Sequence, residues 1–149
     1  MSEVSIPDPP LNRDSPLNRF SMDQHTQDIT AHYLRRNNIT PYNHPIAADV
    51  FAGDGSMAFL LSQEGWNPSD ITCFDQAVSR KPLVPGVNWR YWNLATLADA
   101  LDNNVTLPPE VEMCRGKFDL AISLQSLQLD SGLTVCRFLV KPQGKIITD

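Results

Sequence analysis

The run Asp49-Val50-Phe51-Ala52-Gly53-Asp54-Gly55-Ser56 constrains this chain more than any other stretch. Apolar Ile46-Ala47-Ala48 leads into it and Met57-Ala58-Phe59-Leu60-Leu61 follows, which predicts a strand, a glycine turn and a helix. The two glycines let the backbone approach a ligand where a Cβ would collide. The helix that follows aims unpaired N–H groups at whatever occupies the turn. A unit of this kind is expected to take a nucleotide-like cofactor.

The rest of the chain alternates in the same sense. The first strand covers about residues 46–51 and the first helix after it about 56–64, stopped by Gly65. Ile71-Thr72-Cys73-Phe74 is a second strand ending at Asp75, and Val87 to Tyr91 alternates as a third. Leu94, Leu97, Ala98 and Leu101 make a helical stripe, and residues 103–116, with Pro108-Pro109, are expected to be a loop. Phe118 to Ser123 is a fourth strand, Leu129 to Val140 a helix ended by Pro142 and Gly144, and Lys145 to Thr148 a fifth strand before Asp149. Strands alternating with helices imply an α/β domain with a parallel sheet and right-handed crossovers. Ahead of it, Ser21-Met22-Asp23-Gln24 has capping-box spacing and opens a helix with Ile29, Tyr33 and Leu34 as its apolar stripe. Residues 1–20, with Pro7, Pro9, Pro10 and Pro16, are expected to be a disordered arm, leaving residues 21–149 as the domain.

Composition narrows the function classes. A net charge of −5 gives no general electrostatic attraction for nucleic acid. No apolar run approaches the ~18–20 residues that span a bilayer, and the polar, proline-rich start is not a signal peptide. Cys73, Cys114 and Cys136 are odd in number and unclustered, which argues against a disulfide framework or a metal site. A reducing cytoplasmic or nuclear setting, not a secreted one, is expected.

Two cofactors compete for the turn. Gly53-Asp54-Gly55-Ser56-Met57-Ala58 fits the dinucleotide pattern G-x-G-x-x-A, with Asp75 twenty residues past Gly55. The second reading uses more of the chain. From Asp49 to Asp149 the sequence resembles the class I, Rossmann-like S-adenosylmethionine-dependent methyltransferases. The matching segments are Asp49, Phe51, Gly53 and Gly55 in the first motif, with Phe51 at its first glycine position, then Asp75 closing the second strand. Asn93-Leu94 after the third strand, Phe118 to Leu127, and Leu139-Val140-Lys141-Pro142-Gln143-Gly144-Lys145-Ile146-Ile147 complete the series in order. The resemblance implies a three-layer fold with sheet order 3-2-1-4-5. It also implies S-adenosyl-L-methionine as cofactor, with Asp49, Phe51, Gly53, Gly55, Asp75 and Asn93 around it.

Physical roles follow from these residue types. A carboxylate at Asp49 can meet the methionyl ammonium, and Asp75 can accept two hydrogen bonds from a ribose diol. Asp54 inside the turn would repel a pyrophosphate. Asp49 can instead cap the turn, Asp75 can be a turn residue, and Asn93 can equally be a helix N-cap. Ser123 and Gln125, at the carboxyl end of the fourth strand, are the candidates for orienting a methyl acceptor. The family pattern departs in two places. No N/D-P-P-Y/F or Pro-Cys acceptor motif follows the fourth strand, and the family's last two strands have no counterpart after the fifth. The fold is therefore expected to be truncated there, with a homo-oligomer or a partner protein covering an exposed fifth-strand edge. A methyltransferase of unknown acceptor is the leading expectation. A catalytically inactive methyltransferase-like adaptor is the alternative, and a NAD-dependent oxidoreductase the third.

Overall fold

The computed structural model describes residues 6, 11–12, 23–78, 83–124 and 129–148. The elements run β1 Leu11–Asn12, α1 Gln24–Arg36, β2 Ala47–Val50, α2 Ser56–Gln63, β3 Ile71–Asp75 and β4 Ala77–Val78. They continue as β5 Asn88–Tyr91, α3 Leu94–Asp102, α4 Pro109–Glu112, β6 Phe118–Ser123, α5 Leu129–Leu139 and β7 Val140–Thr148. Five strands form one sheet in the order β5-β3-β2-β6-β7, and every pairing is parallel. In order of succession that is 3-2-1-4-5, the Rossmann-like order expected from the sequence. Every residue of β2 and β3 is buried, as central strands covered on both faces require.

The two faces carry separate cores. Ala47, Ile71, Cys73, Leu120 and Ile122 pack with Leu34 of α1 and Met57, Ala58 and Leu61 of α2. Ala48, Val50, Phe74 and Ala121 pack on the other side with Leu94, Leu97 and Ala98 of α3 and Val135, Cys136 and Leu139 of α5. Neighbouring residues of one strand point to opposite faces, so each strand feeds both layers. Phe74 is wholly buried and touches Trp92 and Phe118 at ring-centroid distances of 5.0 and 5.7 Å.

Several local expectations change. Helix α1 starts at Gln24, capped by Asp23, whose side chain accepts from the Thr26 N–H at 2.7 Å; Ser21 lies outside the described residues. Its buried face is Thr30 and Leu34, while Ile29 and Tyr33 are exposed. Thr30 can be buried because its hydroxyl donates to the Thr26 carbonyl at 2.8 Å. The expected loop at 103–116 contains α4, which has proline at its first position and plants Val111 fully in the core. Strand β7 begins five residues before Lys145, in a bulge: Phe118 pairs with Val140 and Leu120 with Lys145. Gly144 sits in that bulge, where a Cβ would meet the Val140 Cβ at 2.9 Å and two carbonyl oxygens at 3.1 Å.

Three residues of the expected arm are described, and they make specific contacts. Ile6 is fully buried, and β1 pairs in parallel with β4. Among the described residues no helix is long and apolar enough to cross a membrane.

Candidate functional site

The glycine turn lies between the carboxyl end of β2 and the start of α2. Phe51 leaves the strand in the left-handed region at φ 59°, an expensive conformation for an aromatic residue at about 1–2 kcal/mol. It is held there by neighbours: its side chain packs against the core, and the next N–H, from Ala52, donates to the Phe74 carbonyl at 3.0 Å. Gly53 and Gly55 follow at φ 61° and 92°. Both are buried, and a Cβ on Gly55 would stand 3.5 Å from the Trp89 ring, so β5 leans over the turn.

Three carboxylates surround this turn. Asp49, only 4% exposed, lies under the start of α2 and accepts from the Ala58 N–H. Burial, first, and then the negative charges of Asp75 and Asp54 hold its carboxyl well above the ordinary carboxylate range. The Cys73 thiol is 4.0 Å from its Oδ2, and burial, then the charges of Asp49 and Asp75, push that thiol up as well. Asp75, 2% exposed, accepts from the Gly53 N–H on Oδ2 and from its neighbour Gln76 N–H on Oδ1, each at 2.7 Å. Asp54 accepts from both the N–H and the hydroxyl of Ser56, at 3.1 and 2.5 Å.

The consequence for α2 is chemical. Of the N–H groups in its first turn, that of Ser56 is taken by Asp54 and that of Ala58 by Asp49. A pyrophosphate needs those donors and a positive local field. Here it would meet two donors already taken and three acids. A cationic ligand meets the opposite situation, because positive charge beside Asp49 offsets the burial and then the repulsion that raise its pKa. The turn therefore presents carboxylates beside two occupied donors.

The remaining sequence-selected residues divide. Asn93 is the N-cap of α3, its Oδ1 accepting from the Thr96 N–H at 3.0 Å. Asp75 faces Gly53 with one oxygen instead of presenting both outward. Ser123 is 3% exposed and lies beneath α5, where a Cβ on Gly132 would fall 2.5 Å from its Oγ. Gln125 lies outside the described residues. The chain thus brings Asp49, Phe51, Gly53, Gly55 and Asp75 into one turn, with Asn93 at the end of β5 beside them: the Trp92 N–H, one residue earlier, donates to the Asp75 carbonyl at 3.0 Å. Trp89 and Gly132 were not singled out from the sequence. A glycine inside a helical stretch signals close approach of another element, and that signal was present at Gly132.

Gly132→Ala is expected to cost about 1–2 kcal/mol by overpacking against Ser123. Adding Ser123→Ala should restore much of it, because the clashing hydroxyl is then gone. Denaturant unfolding of the two single variants and the double variant measures this coupling.

No family model and no curated protein matches the sequence. Among solved structures, the chain is similar to the PH0226 protein from Pyrococcus horikoshii OT3, at 16% identity and a TM-score of 0.46, over 85% of this chain and 54% of that one. It is also similar to a SAM-dependent methyltransferase from Archaeoglobus fulgidus, at 14% identity and a TM-score of 0.44, over 80% of this chain and 51% of that one. The chain spans about half the length of the solved structures it matches.

Proposed function

We propose that this chain is a methyltransferase-like domain that holds S-adenosyl-L-methionine at the Asp49–Gly55 turn and serves a methyl transfer whose acceptor is unassigned. The observation that carries the reading lies at the start of α2. Asp54 and Asp49 occupy the Ser56 and Ala58 N–H groups, so the turn offers negative charge where a phosphate-binding turn offers donors. Asp49 would face the cationic part of the cofactor, Gly53 and Gly55 would admit it close to the backbone, and Asp75 and Asn93 would flank its nucleoside. Bound there, the cofactor supplies a methyl group activated by its sulfonium. The protein's own part is alignment and exclusion of water.

A second reading has its own support. Ser123 is covered by α5, and both Asp75 oxygens already accept backbone N–H groups. A domain that keeps the fold for partner binding, without transferring a methyl group, has this character.

Titration calorimetry separates the readings. S-adenosylmethionine or its demethylated product should bind, and NAD should not. Binding of NAD alone would return the turn to the dinucleotide class. Cofactor binding without transfer of labelled methyl to RNA, DNA, protein or small-molecule extracts would favour the silent domain.

A further inference from the structure

Three contacts made by the start of the chain converge on one part of the site. Ile6 is 0% exposed, in the cluster that includes Val50, Phe74, Trp92 and Leu94. Its carbonyl accepts the Asn93 N–H at 2.7 Å. Further on, Leu11 and Asn12 pair in parallel with Ala77 and Val78. That short pairing begins two residues after Asp75, and Asn93 is the residue that opens α3. The contacted backbone therefore lies just beyond the carboxyl ends of β3 and β5.

We propose that the segment carrying Ile6 and Leu11–Asn12 is a strap that positions the nucleoside side of the cofactor site, so that ligand affinity depends on its docking. The inference rests on the cofactor reading above and adds a dependence which that reading does not contain. Chain leaving the carboxyl end of a parallel sheet has few ladder bonds of its own and opens easily. Here the stretch after Asp75 gains a strand partner, and Asn93 gains an acceptor for its N–H while its side chain caps α3. One buried isoleucine anchors the whole arrangement to the core. Apparent affinity scales with the fraction of molecules whose site is assembled, so loosening the strap weakens binding without altering any ligand contact.

Two variants of the full chain test this. Leu11→Pro with Asn12→Pro removes both backbone donors of β1, whereas Ile6→Ala weakens the anchor. Amide exchange without ligand should rise to near the rate of unprotected backbone at Asn93 and at residues 77–78 in both variants. Exchange in β2 and β6 should stay unchanged. Affinity for S-adenosylmethionine should fall about 10-fold, the reduction expected if a tenth of the molecules remain docked. Unchanged exchange at Asn93, or unchanged affinity where that protection has been lost, overturns the proposal. Quickened exchange throughout β2 and β6 also overturns it, since the segment would then be a general part of the core. Should the unsubstituted protein bind no adenosyl compound, the cofactor reading fails. Local quickening at Asn93 then upholds the strap, and its absence refutes it.

Discussion

Asp75→Ala is expected to lower the unfolding midpoint by roughly 5–15 °C, the largest single-residue effect at this site. The side chain is buried, and its two oxygens accept the Gly53 and Gln76 N–H groups at 2.7 Å. Alanine leaves both donors without that acceptor, at about 1–3 kcal/mol for each buried polar group so orphaned. The Gly53 N–H has little recourse to water, because the glycine itself is buried. Asp75→Asn should cost less, since its amide oxygen can still serve one of the two donors. The substitution to alanine has a second effect of opposite sign. It removes one of the negative charges that raise the Asp49 carboxyl, so Asp49 should ionise at lower pH in the variant. Calorimetric melts and a carbon-detected titration of Asp49 measure the two effects. An Asp75→Ala protein as stable as the parent would mean that the turn does not depend on this carboxylate.

Asp49→Asn should act in opposite directions on stability and on binding. In the folded protein Asp49 holds its proton more tightly than an ordinary carboxyl does, through burial and then the charges of Asp75 and Asp54. The sign follows from linkage: the native state binds the proton better than the unfolded chain, so stability falls as pH rises from about 4, the unfolded value, through the raised folded value. Asparagine carries no such dependence, and its amide oxygen can still accept from the Ala58 N–H. The variant should therefore match the parent near pH 4 and exceed it increasingly toward neutral pH. Affinity for S-adenosylmethionine should fall by about 2–5 kcal/mol, the loss typical when one member of a buried charge pair is removed. Thermal melts across that pH range and calorimetry with the cofactor check both halves. A variant less stable than the parent near neutral pH would show that the ionised carboxylate is needed to hold α2. A stabilised variant with unaltered affinity would remove Asp49 from the cofactor's surroundings.

Much of the architecture was legible because its causes are local. Apolar runs of strand length, each bounded by glycine, proline or aspartate, mark β2, β3 and β6 closely, and Asn93 was already a candidate cap for α3. Spacing alone misled where two local rules competed. On α1 the apolar count selected Ile29 and Tyr33, yet Thr30 is the buried partner of Leu34, because its hydroxyl is satisfied within its own helix. Pro108 and Pro109 read as a loop, although Pro109 opens α4 at its first position, where the N–H has no partner within the helix anyway. The bulge in β7 was invisible, since a register shift belongs to two strands at once.

The residues of the candidate site were equally legible as a set, and their orientations were not. The sequence by itself determined that carboxylates and glycines would meet at the carboxyl ends of parallel strands, because that follows from strand order and the alternation of side chains. Only the tertiary structure decided that Asp75 turns one oxygen to Gly53, that Ser123 lies beneath Gly132, that Trp89 leans over Gly55 and that Ile6 reaches Asn93. Each of these joins residues from different elements. Which partner a buried polar group takes depends on the distances left when the layers close, and no local pattern carries that information.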